Sequence, residues 1–367
     1  MKSKPRICIL TPGLSHGGAQ KVAVNLANEW NRLGLPVELL VLKARGVYFD
    51  DVDPDVNINV FGVKKIKYSL VALSKYLIKT KPDIVFSVIR DTNIIAGFLS
   101  LFIKDIKFYG REANTMDAIF YKNFISRFFY LNSMKFLYKR LDGVIANSAY
   151  TLDDLIKNNI FPSSSCIIGN PVISTKSERL LKEKVSDDWL NSSDIRTIIN
   201  IGRLSKQKNH PLLINAFFET YKKNKNLRLI ILGEGEEENN LRSLIKKHKL
   251  EDAVKIIPFQ RNVYKYLRYS DIFVLSSIYE GFGNVVVEAL FSETEVVLTK
   301  CPGGAVEIIK NGSLGTLVEN NNVQSLTNGI LNALSENRSD RSSMLKERAL
   351  YFNVVDMSQK YLDFISK

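Results

Sequence analysis

Two carboxylates bracket a short glycine-containing loop in the second half of the chain. Residues 280–288 read Glu-Gly-Phe-Gly-Asn-Val-Val-Val-Glu. If a helix begins at about Asn284, the amides of its first turn lie at the positive helix end, where a phosphate can bind. Glu288 then lies about one turn into the helix, and Glu280 lies on the other side of that phosphate. Since each carboxylate can accept two hydroxyl hydrogen bonds, the segment predicts a phosphate between two diols, a ribose and a hexose. The backbone of this phosphate site comes from Phe282, Gly283, Asn284 and Val285.

Glu288 also has a simpler interpretation, as a solvent-facing residue of an amphipathic helix. The residues beside it, 285–287 and 289–290, are all apolar, which indicates that the helix is largely buried. Because a carboxylate in such surroundings is costly without a partner, we favour the binding role.

Residues 202–209, Gly-Arg-Leu-Ser-Lys-Gln-Lys-Asn, supply cations that match this phosphate. A guanidinium fork and an ammonium can stabilise the charge that builds on a diphosphate leaving group without a metal ion. We therefore predict Arg203 and Lys208, together with Glu280, as catalytic residues, with Gly202 beside the donor. The alternative is a solvated basic turn, which is our interpretation of Lys206. The Asp-rich segment 50–55 is likewise interpreted as a solvated turn, so no metal site is predicted.

Short apolar runs alternate with segments of helical periodicity along the whole chain. The strand-like runs are 6–10, 37–42, 84–88, 106–109, 144–146, 166–168, 197–201, 227–232, 254–257, 272–275 and 295–298. The helical segments are 19–33, 69–79, 93–102, 151–158, 212–224, 237–249, 262–269 and 285–291. Strands that are apolar almost throughout, each followed by a helix, indicate parallel sheets covered on both faces. Repeated twice, the pattern predicts an α/β fold of two doubly wound, Rossmann-like domains.

The boundary between these domains is expected near residues 170–171, because the segment 174–194 is polar, charged and Ser-rich and is expected to be a linker. We therefore predict domains over 1–170 and 171–350. A helix over 351–367 is expected to pack back on the N-terminal domain.

Glycines mixed with charged or amide residues follow several predicted strands, at 11–18, 202–209, 233–237, 276–284 and 301–304. In open α/β sheets, ligands bind outside the carboxyl ends of the strands. These loops therefore predict a cleft in which the two domains face each other around an anionic, polar ligand. The loops contribute His16, Gly17, Gly18 and Glu234 to the candidate residues.

Composition narrows the class of protein. A length of 367 residues suits two domains of roughly 100–200 residues, and 45% hydrophobic with 24% charged residues excludes disordered and fibrous classes. No apolar run reaches the roughly 18–20 residues that span a bilayer, and the opening segment is too short for a signal peptide. The three cysteines are widely spaced and lack clustered histidines, so neither a disulfide scaffold nor a zinc site is expected. We expect a cytoplasmic protein without cofactor or metal.

Lys and Arg outnumber Asp and Glu by 51 to 38, mostly in the first half of the chain. Such an excess favours a polyanionic partner, such as nucleic acid, an anionic membrane or a phosphorylated substrate. For the total charge alone, a Lys-rich solvated surface is the simpler interpretation.

Two stretches of the first half, 56–82 and 118–141, contain no acidic residue. The second interleaves basic and aromatic residues on a predicted helix, which suits the interface of an anionic membrane. Alternatively, half of the aromatic side chains fill the core and the lysines are ordinary surface residues. Both interpretations stay open. The aromatic side chains of this stretch are Phe120, Tyr121, Phe124, Phe128, Phe129, Tyr130, Phe136 and Tyr138.

Three motifs resemble those of family 4 glycosyltransferases: Gly-Gly-Ala-Gln at 17–20, Gly-Arg-Leu-Ser-Lys-Gln-Lys at 202–208, and the segment 280–288. The resemblance also includes Asn-Ser at 147–148 and Asn-Pro-Val at 170–172, and it is most specific in the second half. It implies retaining, nucleotide-sugar-dependent enzymes with the two-domain GT-B fold, an acceptor-binding N-terminal domain and a donor-binding C-terminal domain. The Cys-Pro-Gly-Gly motif at 301–304, with Glu307, is similar to bacterial enzymes that build O-antigen, capsule or other lipid-linked glycans.

The resemblance also implies roles for individual residues. Arg203 and Lys208 would hold the diphosphate, Glu288 the ribose, and Glu280 would face the donor sugar. Gly17 and Gly18 would close over the phosphates, and the loop 258–262, with Phe259, would flank the nucleobase.

One departure from the family concerns a histidine that many members carry after the strand that here ends near Tyr109. Residues 110–114 read Gly-Arg-Glu-Ala-Asn instead. We expect Arg111 or Glu112 to contact the sugar or acceptor in its place, and His16 to make a further substrate contact. His210 and His248 are expected to be structural or surface residues.

Together these observations predict a retaining, metal-independent transferase that moves a hexose or N-acetylhexosamine from a UDP-sugar to a lipid-linked or polysaccharide acceptor. Its expected location is the cytoplasm, with peripheral attachment to the cytoplasmic face of the inner membrane and no nucleic-acid partner. Alternatives are a nucleotide-sugar epimerase on the same fold, a basic nucleic-acid-binding protein, and a catalytically silent sugar-binding relative. Free epimerised donor formed without an acceptor would favour the epimerase. A salt-dependent shift assay on DNA and RNA tests the nucleic-acid-binding alternative, and donor-hydrolysis measurements test the silent relative.

Overall fold

The computed structural model describes residues 4–15, 17–44, 46–63, 68–116, 124–335 and 341–367. The chain divides into two compact units. The first unit comprises Met1–Val172 and Val354–Lys367, and the second comprises Ile173–Asn353.

Parallel strands form one sheet in each unit. The strands are β1 (Ile7–Thr11), β2 (Val37–Val41), β3 (Asn57–Val60), β4 (Ile84–Ser87), β5 (Lys107–Glu112), β6 (Gly143–Ala146), β7 (Ser165–Ile167), β8 (Arg196–Ile201), β9 (Leu227–Leu232), β10 (Val254–Ile257), β11 (Ile272–Leu275), β12 (Glu295–Thr299) and β13 (Thr316–Val318). The sheet orders are β3-β2-β1-β4-β5-β6-β7 and β10-β9-β8-β11-β12-β13. In both sheets the order reverses beside the first strand, which is the position where doubly wound sheets bind ligands.

Helices connect the strands and cover the sheets. They are α1 (Gly18–Arg32), α2 (Ser69–Thr80), α3 (Arg90–Leu99), α4 (Phe124–Tyr138), α5 (Ala149–Lys157), α6 (Thr175–Leu181), α7 (His210–Lys223), α8 (Glu238–Lys247), α9 (Tyr264–Tyr269), α10 (Asn284–Phe291), α11 (Ala305–Ile308), α12 (Val323–Ser335), α13 (Ser342–Leu350) and α14 (Val354–Ile365). Among the helices described, none combines the length and apolar character needed to cross a bilayer.

The first unit has a hydrophobic layer on each face of its sheet. One layer contains Trp30 of α1 and Tyr361 of α14, and the other contains side chains of α2, α3 and α4. The Trp30 indole donates a hydrogen bond of 3.0 Å to the carbonyl of Ser358, and the fully buried Tyr361 ring meets Phe86 edge-on. Helix α14 is therefore part of the first unit's core, because it closes the layer over β1 and β4.

The second unit repeats this arrangement around β8. Side chains of α7, α8 and α12 form one continuous cluster with the sheet, in which Phe217 and Leu229 are fully buried. Buried apolar side chains fill β8, β9, β11 and β12, as expected for strands covered on both faces. The rigid sheet positions the loops at its carboxyl edge.

The structure corrects the sequence prediction at three places. β3, which reads Asn-Ile-Asn-Val, and the three-residue β13 are edge strands whose partial exposure hides the apolar signal. The segment expected to be a polar linker, 174–194, contains α6, where the Ser174 amide donates to Ser177 Oγ over 3.1 Å. Its serines therefore start a helix, whose Leu181 is buried.

Candidate functional site

The candidate site lies where β8 and β11 pair in parallel at the reversal of strand order in the second unit. The loop that follows β8 and the loop that follows β11 are hydrogen-bonded to each other. The Ile278 amide donates to the Gln207 carbonyl over 2.8 Å, and the Gln207 side-chain amide donates to the Tyr279 carbonyl over 3.0 Å. Ser276 Oγ donates to the Lys208 carbonyl over 2.9 Å. The two loops therefore hold each other in one conformation.

Lys208 and Glu280 form an ion pair at the centre of this site. Lys208 Nζ lies 2.5 Å from Glu280 Oε1, and their side chains are 15% and 6% exposed. The same carboxylate oxygen accepts a hydrogen bond of 2.5 Å from Ser277 Oγ. A Cβ on Gly202 would lie 3.1 Å from Lys208 Cε, so the glycine leaves space for the lysine stem. The predicted cation and carboxylate are thus brought together.

The loop after β12 supports the backbone of Glu280. The Glu280 amide donates to the Pro302 carbonyl over 2.8 Å, and the Gly304 amide donates to the Gly281 carbonyl over 2.8 Å. Gly303 has a φ of 121°, and a Cβ there would lie 1.7 Å from the Glu280 carbonyl oxygen. The Cys-Pro-Gly-Gly motif therefore has a geometric role, because only glycine allows this approach.

Cys301, in the same loop, is buried beside the ion pair. Burial, reinforced by the charge of Glu280, raises the pKa of its thiol to about 12. The side chain is therefore a neutral thiol at neutral pH.

Helix α10 begins at Asn284, the position predicted from the sequence. Gly283 precedes it in the left-handed conformation, with φ 91° and ψ 55°. The first amides of a helix have no acceptor within the helix, so they and the positive helix end can bind a phosphate. Phe282 is buried with its ring edge-on to Phe352, and it therefore contributes its backbone to this site. Asn284 and Val285 are half-buried, and Glu288 is buried one turn further along.

The loops after β9 and β10 lie beside the loop after β8. A Cβ on Gly233 would lie 1.9 Å from the Gly202 carbonyl oxygen, so these two backbones are in close contact. The Leu204 amide donates to the Glu234 carbonyl over 2.9 Å, and the Phe259 amide donates to Glu234 Oε1 over 3.2 Å. Arg203, exposed in this group of loops, shares its loop with Lys208. The predicted residues of the second unit therefore line one edge of one sheet.

The predicted residues of the first unit follow β1. Gly17 directly precedes α1 and Gly18 is its first residue, at the reversal of strand order beside β4. A Cβ on Gly17 would lie 2.3 Å from the Gln20 side-chain oxygen, which is the end of a flexible side chain. His16 lies outside the described residues.

Arg111 and Glu112 are buried at the end of β5, with their polar groups bonded inside the first unit. Arg111 donates to Asn170 Oδ1, to the Tyr361 hydroxyl and to the carbonyl of Val88. Glu112 pairs with Arg90 at 2.9 Å, and the Tyr138 hydroxyl donates to it over 2.7 Å. A contact of either side chain with the sugar or acceptor would compete with this buried network. Arg111 instead connects α14 to β5.

Sequence reasoning missed the role of Ser277 and did not predict the setting of His210. No sequence signal distinguishes Ser277 from Ser276, because strand pairing decides which hydroxyl reaches Glu280. His210 is fully buried at the start of α7, and its ring nitrogens have no hydrogen-bond partner among the described residues. Burial, together with the charge of Lys208, lowers the pKa of His210 to about 3, so its ring is neutral.

These groups can bind a diphosphate and hydroxyl-bearing groups. An ammonium, a guanidinium and a helix N-terminus offer positive charge to phosphates, and two buried carboxylates offer hydrogen-bond acceptors to hydroxyls. In the part of the chain that the structure describes, no group of three or more His, Cys, Asp or Glu side chains is arranged to hold a metal ion.

Comparisons with known proteins identify relatives along the whole chain. The family model "Glycosyltransferase Family 4" matches residues 16–175 and "Glycosyl transferases group 1" matches 182–350. An N-acetylgalactosamine-N,N'-diacetylbacillosaminyl-diphospho-undecaprenol 4-alpha-N-acetylgalactosaminyltransferase of Campylobacter jejuni is 30% identical over 286 residues, 77% of this chain and 76% of that protein. An uncharacterized glycosyltransferase of Haemophilus influenzae is 26% identical over 91% of this chain and 92% of its own.

A solved structure shows the same fold over nearly the full length. The crystal structure of Anabaena HepE in complex with UDP-glucose aligns with a TM-score of 0.82 and 19% identity, covering 99% of both chains. The two parallel sheets of this chain and their strand orders are those of the GT-B fold. Because the two family models match the two units in turn and the Campylobacter relative covers three quarters of the chain, this chain is a GT-B glycosyltransferase of family 4.

Proposed function

We propose that this glycosyltransferase moves a hexose or N-acetylhexosamine from a UDP-sugar to a lipid-linked or polysaccharide acceptor in surface glycan biosynthesis, with retention of configuration. The observation that carries the proposal is the buried pair of Lys208 and Glu280 beside the N-terminus of α10. The name of the Campylobacter relative, a transferase acting on a diphospho-undecaprenol-linked glycan, supports the acceptor class. The Anabaena structure that contains UDP-glucose supports the donor class.

In this proposal the donor diphosphate binds Arg203, Lys208 and the first amides of α10. Glu288 accepts hydrogen bonds from the ribose hydroxyls, and Glu280 accepts them from the transferred sugar. Glu234 and Phe259 lie on the loops that would flank the nucleobase. Gly17, Gly18 and His16 would contact the donor or the substrate from the first unit.

Charge stabilisation and positioning supply the catalysis. As the bond to the sugar breaks, negative charge grows on the diphosphate, and Lys208 and Arg203 stabilise that charge. The acceptor hydroxyl attacks from the face that the diphosphate leaves, and a phosphate oxygen takes its proton. No side-chain nucleophile, metal or cofactor is part of this mechanism, so chelation of divalent cations is expected to leave the rate unchanged.

The donor and the role of Lys208 can be tested together. A panel of UDP- and GDP-sugars is first ranked by thermal shift, and the best donor is assayed with a diphospho-undecaprenol-linked sugar. Lys208→Ala should lower turnover roughly 100- to 1,000-fold, as for the loss of one strong transition-state donor. Lys206→Ala is the matched control, since this exposed lysine lies two residues away in the same loop, and it should keep full activity. Wild-type turnover in Lys208→Ala would refute the site.

The stereochemical part has its own test. Transfer from an α-linked UDP-sugar should give an α-linked product, which the anomeric coupling constant in a proton NMR spectrum reports. A β-linked product would refute retention, and epimerised free donor formed without acceptor would favour the epimerase alternative.

We also propose that the enzyme acts in the cytoplasm at the membrane that carries its lipid-linked acceptor, and that nucleic acid is not its partner.

A further inference from the structure

Large apolar side chains are exposed on three neighbouring helices of the first unit. They are Val71 and Ile78 on α2, Phe102 just after α3, and Phe128, Phe129 and Phe136 on α4, each between 50% and 71% exposed. We call these six side chains the apolar face. Of the acid-free stretch 118–141, the structure describes residues 124–141, so Phe120, Tyr121 and Lys122 lie outside the described residues, as do Lys64, Lys65 and Lys67.

The helices that carry the apolar face pack side by side. All three contribute to one core layer, through Leu73, Ile95 and Tyr138. α3 and α4 touch at Gly97, where a Cβ would lie 2.6 Å from the Leu137 carbonyl oxygen. Phe98 and Phe136, which are next to this contact on the two helices, are both exposed.

Helix α4 carries apolar side chains on its outer side as well as on its inner side, together with the exposed Arg127, Asn132 and Ser133. Met134 and Tyr138 face the core, while Phe129 and Phe136 are exposed at positions that differ by about two helical turns. A helix on a protein surface normally presents polar residues to water. An exposed apolar area of this kind marks an interaction surface.

The charged residues of α2 and α4 are all positive, whereas α3 and the turn after Phe102 carry the exposed acids Asp91 and Asp105. Neither α2 nor α4 contains Asp or Glu, and Lys75, Lys79, Lys139 and Arg140 are exposed on or directly after these helices. The Arg140 guanidinium lies 5.0 Å from the centre of the Phe136 ring. Aromatic side chains among lysines and arginines suit the headgroup region of an anionic bilayer. A second copy of the chain would place like charges against each other across a two-fold interface, which is unfavourable.

We infer that the apolar face and its basic rim dock the first unit on an anionic phospholipid bilayer, with the phenylalanines entering the headgroup region and the lysines and Arg140 contacting lipid phosphates. The inference rests on the proposed function in one respect: the bilayer is taken to be the membrane that carries the lipid-linked acceptor. Lipid binding itself needs neither donor nor sugar transfer, so the two can fail separately.

The test is co-sedimentation of the full chain with vesicles of phosphatidylcholine and phosphatidylglycerol in a 7:3 ratio, compared with phosphatidylcholine alone. The wild type should bind the anionic vesicles and be released by high salt, because the basic rim contributes electrostatically. Phe128→Glu/Phe129→Glu should lower the partition coefficient at least about tenfold. Lys139→Glu/Arg140→Glu should also weaken binding and should reduce its dependence on salt.

A matched control carries the same change of charge elsewhere. Met344→Glu/Val355→Glu replaces two side chains of similar exposure outside the apolar face, 52% and 46% exposed, and should bind vesicles like the wild type. Thermal unfolding and the thermal shift with UDP should be unchanged in all variants, which separates lipid binding from folding and from donor binding.

Three results would overturn the inference. They are failure of the wild type to bind anionic vesicles at low salt, wild-type binding by Phe128→Glu/Phe129→Glu, and a concentration-dependent dimer that this double variant abolishes. The variant should also lose transfer to acceptor embedded in vesicles while keeping transfer to a short-chain, water-soluble acceptor. Absence of transfer to both acceptors by a wild-type protein that binds the vesicles would count against the proposed function instead.

Discussion

Ser277 is expected to position Glu280, and its removal tests the geometry of the candidate site directly. The Ser277 hydroxyl is fully buried and donates to Glu280 Oε1 over 2.5 Å. Thr299 Oγ1 donates to the Ser277 carbonyl over 2.7 Å, and Ser277→Ala keeps this hydrogen bond because it involves the backbone of residue 277. The substitution therefore removes one hydrogen bond to a charged acceptor and leaves the backbone contacts of the loop.

The size of the expected loss in kcat/KM follows from the charge of the group that accepts the Ser277 hydrogen bond, the Glu280 carboxylate. A hydrogen bond to a charged group contributes about 1.5–3 kcal/mol, and about 1.4 kcal/mol corresponds to a factor of ten in rate. If Glu280 must hold its orientation in the transition state, Ser277→Ala should lower kcat/KM by roughly 10- to 100-fold. The effect should fall mainly on kcat, because the proposed diphosphate ligands Arg203 and Lys208 are unchanged in this variant.

The assay is steady-state release of UDP with saturating acceptor. Ser277→Thr keeps the hydroxyl and should recover most of the activity. Ser313→Ala, which removes an exposed serine hydrogen bond to the Lys310 carbonyl, is the control and should change nothing. Wild-type kcat/KM in Ser277→Ala, or a loss that Ser277→Thr does not recover, would refute the positioning role.

Two further predictions concern neighbouring residues. Gly303→Ala should destabilise the second unit by about 1–3 kcal/mol and lower turnover, because its Cβ would lie 1.7 Å from the Glu280 carbonyl oxygen. Urea unfolding measures the stability and UDP release measures the turnover. Wild-type stability and turnover in Gly303→Ala would contradict this contact. For His210, burial lowers the pKa to about 3 in the folded protein, so the unfolded chain binds more protons between about pH 6.5 and pH 3. This histidine's contribution to stability is complete above about pH 6.5 and is lost as the pH falls toward 3, at up to about 1.4 kcal/mol per pH unit. His210→Phe should reduce this dependence in urea titrations at pH 7 and pH 5, and equal losses in wild type and variant would contradict the assignment.

The central strands were predictable because they are buried on both faces and therefore read as continuous apolar runs. β9 and β11 have the bounds that the sequence indicates, and so does the half-buried edge strand β10. β3 was not predictable in the same way, since an edge strand with asparagines at alternate positions carries a weak apolar pattern. α6 was missed because serines at a helix start and serines in a linker look alike in the sequence.

The start of α10 was predictable from local chemistry, because Gly283 permits a left-handed residue directly before a run of apolar helical residues. The burial of Arg111 and Glu112 was not predictable. It depends on Tyr361, which lies 250 residues from Arg111 in the sequence, and on Arg90 and Tyr138. The place of a histidine in the family suggested contact with a ligand at Arg111 or Glu112, whereas the fold pairs these two side chains internally.

The sequence by itself determined the alternation of strands and helices, the glycine turns and the types of charged groups near them. These follow from burial periodicity and from backbone preferences that act over a few residues. Only the tertiary structure decided that Lys208 meets Glu280 and Ser277, since 72 residues separate the two members of the ion pair. Because β8 pairs with β11, the loops that follow these strands lie side by side. The arrangement of the strands in the sheet sets which side chains meet there, and the separation in the sequence does not.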